Sequence, residues 1–233
     1  MVGSARANRS RRQSYVAMDR RECDMTVADQ KVSERENAEH RARPPQKRAQ
    51  RTRDALITGA ARTIACGGSG VTVNDLIQAA GVTKGGMYFH FPSKDAVVHA
   101  VVDQAARQCE FLRAHRPSTG DTVADVQDLL GGYFTHAKRY WSLRAAAVLW
   151  TDLHYEDVAR AATYHPLRAA VLALLTSNGR LPTISVDTAD AVMAIVCGVT
   201  TTAGPGGFGD GGDLDTVLRL TGPVIAAAGA VAV

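Results

Sequence analysis

Thr72, Thr83, Lys84, Tyr88, His90 and Lys94 bring two hydroxyls, two ammonium groups, a phenol and an imidazole into one short stretch. Each is a donor suited to phosphate oxygens or base edges. Gly85 and Gly86 lie among them, and inside a helix each costs about 1 kcal/mol relative to Ala. Such a cost makes sense where something must approach the backbone closely. Lys94, read as the start of the next helix, opposes that helix's macrodipole and becomes favourable when it meets a phosphate. The chemistry implied is recognition of a polyanion, with double-stranded DNA the natural candidate. Arg51 and Arg53, a little upstream, are either a solvated helix face or further phosphate contacts.

These groups need a frame, and local signals supply one. Ala55, Leu56, Ala60 and Ile64 mark the inner face of a first helix stopped by Gly67-Gly68. Thr72-Val73-Asn74-Asp75 is a capping-box pattern that opens a short helix through Ala80. Gly81 ends that helix, and Thr83 caps another running to about Phe89. Two helices joined by a tight turn containing Gly form a helix-turn-helix, here over residues 72 to 91. Val73, Leu76, Ile77, Ala80, Val82, Met87 and Phe91 fall on its inner side, which leaves the donor set outside. Pro92-Ser93 starts a long helix expected to run to about His115. Further helices are expected at about 122 to 138, 141 to 150, 163 to 177, 187 to 203 and 213 to 228, and few segments show period-two strands. The fold class is therefore all-α.

The chain has 233 residues, 45% of them hydrophobic, which is enough for one or two domains with a real core. Charge is uneven: residues 1 to 53 hold 14 Lys and Arg against 7 Asp and Glu, while the rest hold 13 against 16. A basic front end favours an anionic partner for the N-terminal part and adds salt-dependent, non-specific affinity. Residues 1 to 46 read as a disordered basic arm, poor in large apolar groups; alternatively, translation begins at Met18 or Met25 and part of the arm is not made. Residues 47 to 95 read as the DNA-binding domain and 96 to 233 as a second, helical domain. Cys23, Cys66, Cys109 and Cys197 lie far apart with no zinc-ligand spacing, as expected of reduced thiols in a cytoplasmic protein. No secretory signal is expected, and the C-terminal Ala/Val/Gly stretch, broken by Gly222, Pro223 and Gly229, falls short of a membrane span.

The stretch AGVTKGGMYFHFPSKD, residues 80 to 95, with Thr72-Val73 before it, resembles the TetR family of repressors. The resemblance covers about residues 48 to 100 closely and is only topological afterwards. It implies that Thr83, Lys84, Gly85 and Tyr88 belong to a recognition helix, that His90 and Lys94 grip phosphate, and that Thr72 anchors the preceding helix to the DNA backbone. The VTKGxxYFHF form is similar to the γ-butyrolactone receptor branch of antibiotic-producing actinomycetes. Leu143-Arg144-Ala145-Ala146-Ala147-Val148-Leu149 is similar to that branch's pocket helix, and Asn178-Gly179-Arg180-Leu181-Pro182 with Asp187-Thr188-Ala189-Asp190 to its segment leading into the dimerisation helix. Leu167 stands where those receptors carry a ligand-contacting tryptophan, so a pseudo-receptor answering to an antibiotic or its precursor is an equal alternative.

The resemblance thus implies a three-helix N-terminal DNA-binding domain and a C-terminal helical domain for ligand binding and dimerisation. The expected activity is that of a repressor, not an enzyme: a homodimer on a palindromic operator, released by a small effector, with no cofactor, metal or membrane partner. Trp141, Arg144, Trp150 and Leu167 are the candidate ligand contacts; each tryptophan is alternatively an ordinary core residue. Gly207-Phe208-Gly209-Asp210-Gly211-Gly212 fits a dinucleotide-binding pattern but lacks the βαβ context, so it reads as a loop. Asp152, His154, Glu156, Asp157 and His165 could hold a metal, but lack an i, i+4 His pair and read as a solvated loop. The rivals are a DNA binder without ligand control and an enzyme with a basic surface.

Overall fold

The computed structural model describes residues 45–177, 182–202 and 212–230, and these are helical throughout apart from short connections. The N-terminal arm, Cys23, the Asn178 to Leu181 stretch and most of the glycine-rich loop after Thr202 lie outside the described residues. By its contacts the chain divides into Met1–Asp54 and Ala55–Val233. Helix α1, Pro45–Gly67, has proline at its first position, where no amide donor is needed. From Ala55 onward it buries Leu56, Ile57, Ala60, Ala61, Ile64 and Ala65, with Ala55 itself half-buried.

Helices α2 (Val73–Ala80) and α3 (Lys84–His90) form the helix-turn-helix. Gly81 closes α2 with φ 63°, a left-handed cap that favours glycine. The packing of α1 on α2 depends on a second glycine: a Cβ at Gly59 would stand 2.9 Å from the Ala80 amide nitrogen. Helix α4, Lys94–Gln108, is capped by Ser93, whose hydroxyl accepts from the Ala96 amide at 3.1 Å. It stops at Gln108, short of the expected His115. The chain bends at Cys109 into α5, Phe111–Ala114, which buries Leu112 and stacks Phe111 on His136 at 4.1 Å.

The second half is a bundle of α6 (Thr122–Arg139), α7 (Trp141–Leu149), α8 (Glu156–Ala159), α9 (His165–Ser177), α10 (Pro182–Thr202) and α11 (Gly212–Ala230). Helical structure begins at Glu156, earlier than the expected 163, because a π-helical turn, Arg160–Tyr164, joins α8 to α9. Pro166 supplies the reason: it has no amide to give the Ala162 carbonyl, and a widened turn accommodates that gap. Helix α10 likewise starts earlier than the expected 187, at Pro182 in its first turn. Helix α11 continues through Pro223.

Helix α10 packs on α9 and α11, α11 on α6, and α7 on α4. Ala189, Val192, Val196, Val217 and Ile225 are consumed inside the chain, while Ile195, Val199, Leu214, Leu218 and Val224 are only half-buried and Val186 and Leu220 are exposed. None of the helices formed by the described residues is long and apolar enough to cross a membrane.

Candidate nucleic-acid interface

Each turn of the reading unit is fixed by side chains adjacent to it. The Thr72 amide donates to Asp75 Oδ2 at 2.7 Å and the Thr72 hydroxyl to the same oxygen at 2.8 Å, while the Asp75 amide returns a bond to Thr72 Oγ1 at 3.3 Å. The Thr72 backbone amide and then its hydroxyl hold the Asp75 carboxyl below its ordinary value. At α3, Thr83 Oγ1 accepts from the Gly86 amide at 3.1 Å. Leu76, Met87 and Phe91 are buried, and Val73, Ile77, Ala80 and Val82 pack half-buried against the same core. The apolar periodicity therefore selects which arc of α3 faces outward: Lys84, Gly85, Tyr88 and Phe89.

The two adjacent glycines have different reasons. A Cβ at Gly86 would meet Thr83 Oγ1 at 3.2 Å, so its smallness serves the cap. At Gly85 a Cβ would meet nothing within 4 Å, so none of the described residues requires glycine there. Thr72, Thr83, Lys84 and Tyr88 are exposed, and His90 is half-buried with its ring edge-on to Phe89 at 5.1 Å. Phe89, 80% exposed, was not singled out from the sequence; its position one turn after Gly85 and off the buried stripe was the available signal.

Lys94 is half-buried, and its Nζ donates to the Ser69 carbonyl at 2.7 Å, which ties it to the loop after α1. The bond uses one of the three donors of the ammonium. Arg51 is exposed and Arg53 half-buried, both in the α1 segment that belongs to Met1–Asp54.

The acidic and histidine cluster after α7 is a largely exposed loop that is pinned at Asp152 and Tyr155. Asp152 accepts from the His154 and Tyr155 amides at 3.0 and 3.1 Å and from the Ser69 hydroxyl, which ties it to the loop that Lys94 also holds. Burial raises the Asp152 carboxyl, and these hydrogen bonds together more than offset it. The buried Tyr155 donates its hydroxyl to Asp95 Oδ1 at 2.5 Å, and its ring meets His99 edge-on. A polar junction thus joins the first turn of α4 and the Ser69 loop to the segment between α7 and α8. The Glu156 amide donates to the Asp152 carbonyl at 2.8 Å, and among the described residues no His, Cys, Asp and Glu group is arranged to hold a metal.

The four candidate ligand residues separate into two places. Trp141 is half-buried beneath Arg144, whose guanidinium lies 4.5 Å from the ring centroid and donates to the Ala137 and Lys138 carbonyls at 2.8 and 2.9 Å. Trp150 and Leu167 are fully buried. Trp150 Nε1 donates to Thr163 Oγ1 at 2.7 Å, and its ring stacks on Tyr133 and meets Tyr164 edge-on. Tyr133 escaped sequence reasoning. It is fully buried, and its hydroxyl has no hydrogen-bond partner, which costs about 1–3 kcal/mol. Burial, and then the neighbouring Cys109, push its ionisation well above the usual phenol range. Burial also pushes the Cys109 thiol up to about 12, so both groups are neutral.

Residues 56–101 match the family described as bacterial regulatory proteins, tetR family. The A-factor receptor protein of Streptomyces griseus is 33% identical over 88 residues, 37% of this chain and 28% of that relative's own length. Among solved structures, a TetR-family transcriptional regulator from Agrobacterium tumefaciens superposes with a TM-score of 0.58 at 21% identity, covering 74% of this chain and 98% of the other. A γ-butyrolactone receptor structure superposes with a TM-score of 0.50 at 21% identity, over 78% of this chain and 98% of the other. A TetR regulator from Streptomyces fradiae gives a TM-score of 0.50 at 19% identity, over 79% and 82%. At these identities the structural likenesses establish the fold.

Proposed function

We propose that the protein, whose residues 56–101 match the tetR family of bacterial regulatory proteins, is a ligand-responsive transcriptional repressor. It binds a palindromic operator as a homodimer in the cytoplasm, residues 47–95 reading DNA and 96–233 binding effector and partner. The observation that carries this reading is the outward arc of α3, where Lys84, Tyr88 and an 80%-exposed Phe89 flank a glycine that none of the described residues requires. Lys84 supplies charge, Tyr88 a hydroxyl, and Phe89 an apolar surface suited to a thymine methyl group. Thr72, Thr83 and His90 stand close enough in sequence to add backbone contacts, and Arg51 and Arg53 add charge.

One such helix reads too few base pairs for specificity, so two copies related by a twofold axis are required. The half-buried apolar residues of α10 and α11, with exposed Val186 and Leu220, supply a face for pairing. The Ser69–Asp152 and Tyr155–Asp95 contacts give the helical bundle a grip on the reading unit, so an effector held among α6, α7 and α9 can move it. With Leu167 in the core, simple butyrolactones act weakly, and a larger butyrolactone-like or antibiotic-like compound releases the operator.

The test is recovery of bound DNA across the genome, beginning with the promoter of the protein's own gene, followed by binding of Lys84→Ala and Tyr88→Phe. We expect symmetric footprints and weakened binding with unchanged melting. Sequence-indifferent binding at physiological salt would favour a nucleoid-type binder, and an enzymatic activity that survives disruption of residues 72–91 would overturn the repressor reading.

A further inference from the structure

On the outer side of the bundle, α5 and the segment that follows it to Pro117 face the π-helical turn and α9 across an open groove of about 680 Å³. That volume lies in the range of small-molecule sites, which are mostly apolar with a few placed polar groups. The groove is separate from the interior that holds Trp150. On α9, Leu167, Val171 and Leu175 are fully buried and face inward, whereas Pro166, Ala170 and Ala173 line the groove from another face of the same helix. Leu112 and Leu174, each 3% exposed, form its floor.

The rim carries one sign of charge. Arg113, His115, Arg116 and His165 line the groove, and among the described residues no Asp or Glu does. Two of the four have carboxylate neighbours: Arg113 pairs with Glu110 at 3.0 Å, and His115 stands 3.8 Å from Asp128. Both carboxylates are largely exposed, so these pairs are weak in water. Arg116 pairs with no carboxylate among the described residues. Its Nη1 donates to the Arg113 and His115 carbonyls, each at 2.8 Å, which fixes the guanidinium at the end of α5 without neutralising it.

We propose that this groove binds an amphipathic monocarboxylate, a medium-chain fatty acid in chemical class, with its carboxylate on Arg116 and Arg113 and its alkyl chain along Leu112, Ala170 and Leu174. A guanidinium presents its N–H groups in a fork that matches a carboxylate, and the apolar floor gains by covering the chain. The alternatives each waste part of the site. A cation is repelled by the rim, an uncharged lipid leaves the Arg116 charge unused, and a small anion gains nothing from the floor. The site lies outside the helical interior, and this inference goes beyond the repressor reading and stands without it.

The test is calorimetric titration of the full-length protein with decanoate, 1-decanol and acetate, at concentrations where decanoate is monomeric. Wild-type protein should bind decanoate saturably and at least about tenfold more tightly than 1-decanol, as expected of hydrogen bonds to a charged group, with acetate binding weaker still. Arg116→Gln should remove most of the preference for decanoate over 1-decanol. Ala173→Phe fills the groove from an exposed position and should weaken both ligands at least about tenfold. Both replaced side chains are exposed, so melting should stay at the wild-type temperature. Three outcomes would each overturn the proposal: no decanoate binding at millimolar concentration, equal affinity for decanoate and 1-decanol, or decanoate binding that survives both substitutions, which would place it elsewhere. Operator binding is no part of this readout, so failure of the repressor reading would be seen separately.

Discussion

The reading unit and the helical bundle use polar groups in opposite ways. In the unit of α2 and α3, the capping hydroxyls and carboxylate are partnered within three residues, and the outward groups Lys84, Tyr88 and Phe89 are left to solvent. In the bundle, Trp150 and Ser142 find side-chain partners 13 and 34 residues away, at Thr163 and Gln108, and Tyr133 finds none. A surface that meets a large partner can keep its chemistry exposed and its scaffold locally satisfied. Polar contacts made between the helices of the bundle are instead coupled to how those helices pack.

Truncation should expose that difference most strongly. Trp150→Ala removes a fully buried indole and the bond it donates to Thr163 Oγ1, and is expected to cost about 3–5 kcal/mol in denaturant unfolding. Lys84→Ala and Phe89→Ala should stay within about 0.5 kcal/mol of wild type in the same measurement. If the surface pair costs as much as the core residue, the two regions do not differ as described.

Gly59→Ala is the next largest. Its Cβ would press on the Ala79–Ala80 backbone, so α1 and α2 must separate, at a cost of about 1–3 kcal/mol and with loss of operator affinity. Gly85→Ala should instead leave melting unchanged or slightly raised, because its Cβ enters open space, while still weakening DNA binding. Equal effects at both glycines would remove the argument that Gly85 is there for a partner.

Tyr155→Phe takes the hydroxyl from Asp95 and should cost about 1.5–3 kcal/mol, the range for bonds to charged groups. It should also reduce the difference in operator binding with and without effector. If effector response is fully retained, the junction is structural only.

The smallest effect is pH-dependent. The folded Asp75 carboxyl lies below its unfolded value, so the capping box contributes its full stability above about pH 4 and loses it as pH falls through the lower, folded value. Thr72→Ala should cost about 1 kcal/mol at neutral pH, and less at acid pH, where the Asp75 carboxyl is protonated. Thermal melts of wild type and Thr72→Ala between pH 2 and pH 7 provide the check. A cost that does not shrink on acidification would assign the effect to something other than this pair.

The capping signals at Thr72, Thr83 and Ser93 and the stop at Gly81 placed three helix starts and a turn correctly because caps act over three or four residues. The same locality made the outward arc of α3 legible. Where position depends on distant groups, the sequence carries no signal. The Lys94 ammonium reaches a carbonyl 25 residues earlier, which its place at a helix start does not reveal. The Asp152 segment is a loop, as its composition suggests, but its anchor at Ser69 lies 83 residues back.

By itself, then, the sequence determined an all-helical chain, the helix-turn-helix and its exposed donors, since helical periodicity and caps are properties of neighbouring residues. Only the tertiary structure decided that Lys94 holds the Ser69 loop, that Tyr155 ties the first turn of α4 to the segment between α7 and α8, that Trp141 and Trp150 occupy different environments, and that the Tyr133 hydroxyl is left without a partner. Whether a polar atom is satisfied depends on what the folded chain brings within about 3 Å of it, and sequence spacing carries no record of that.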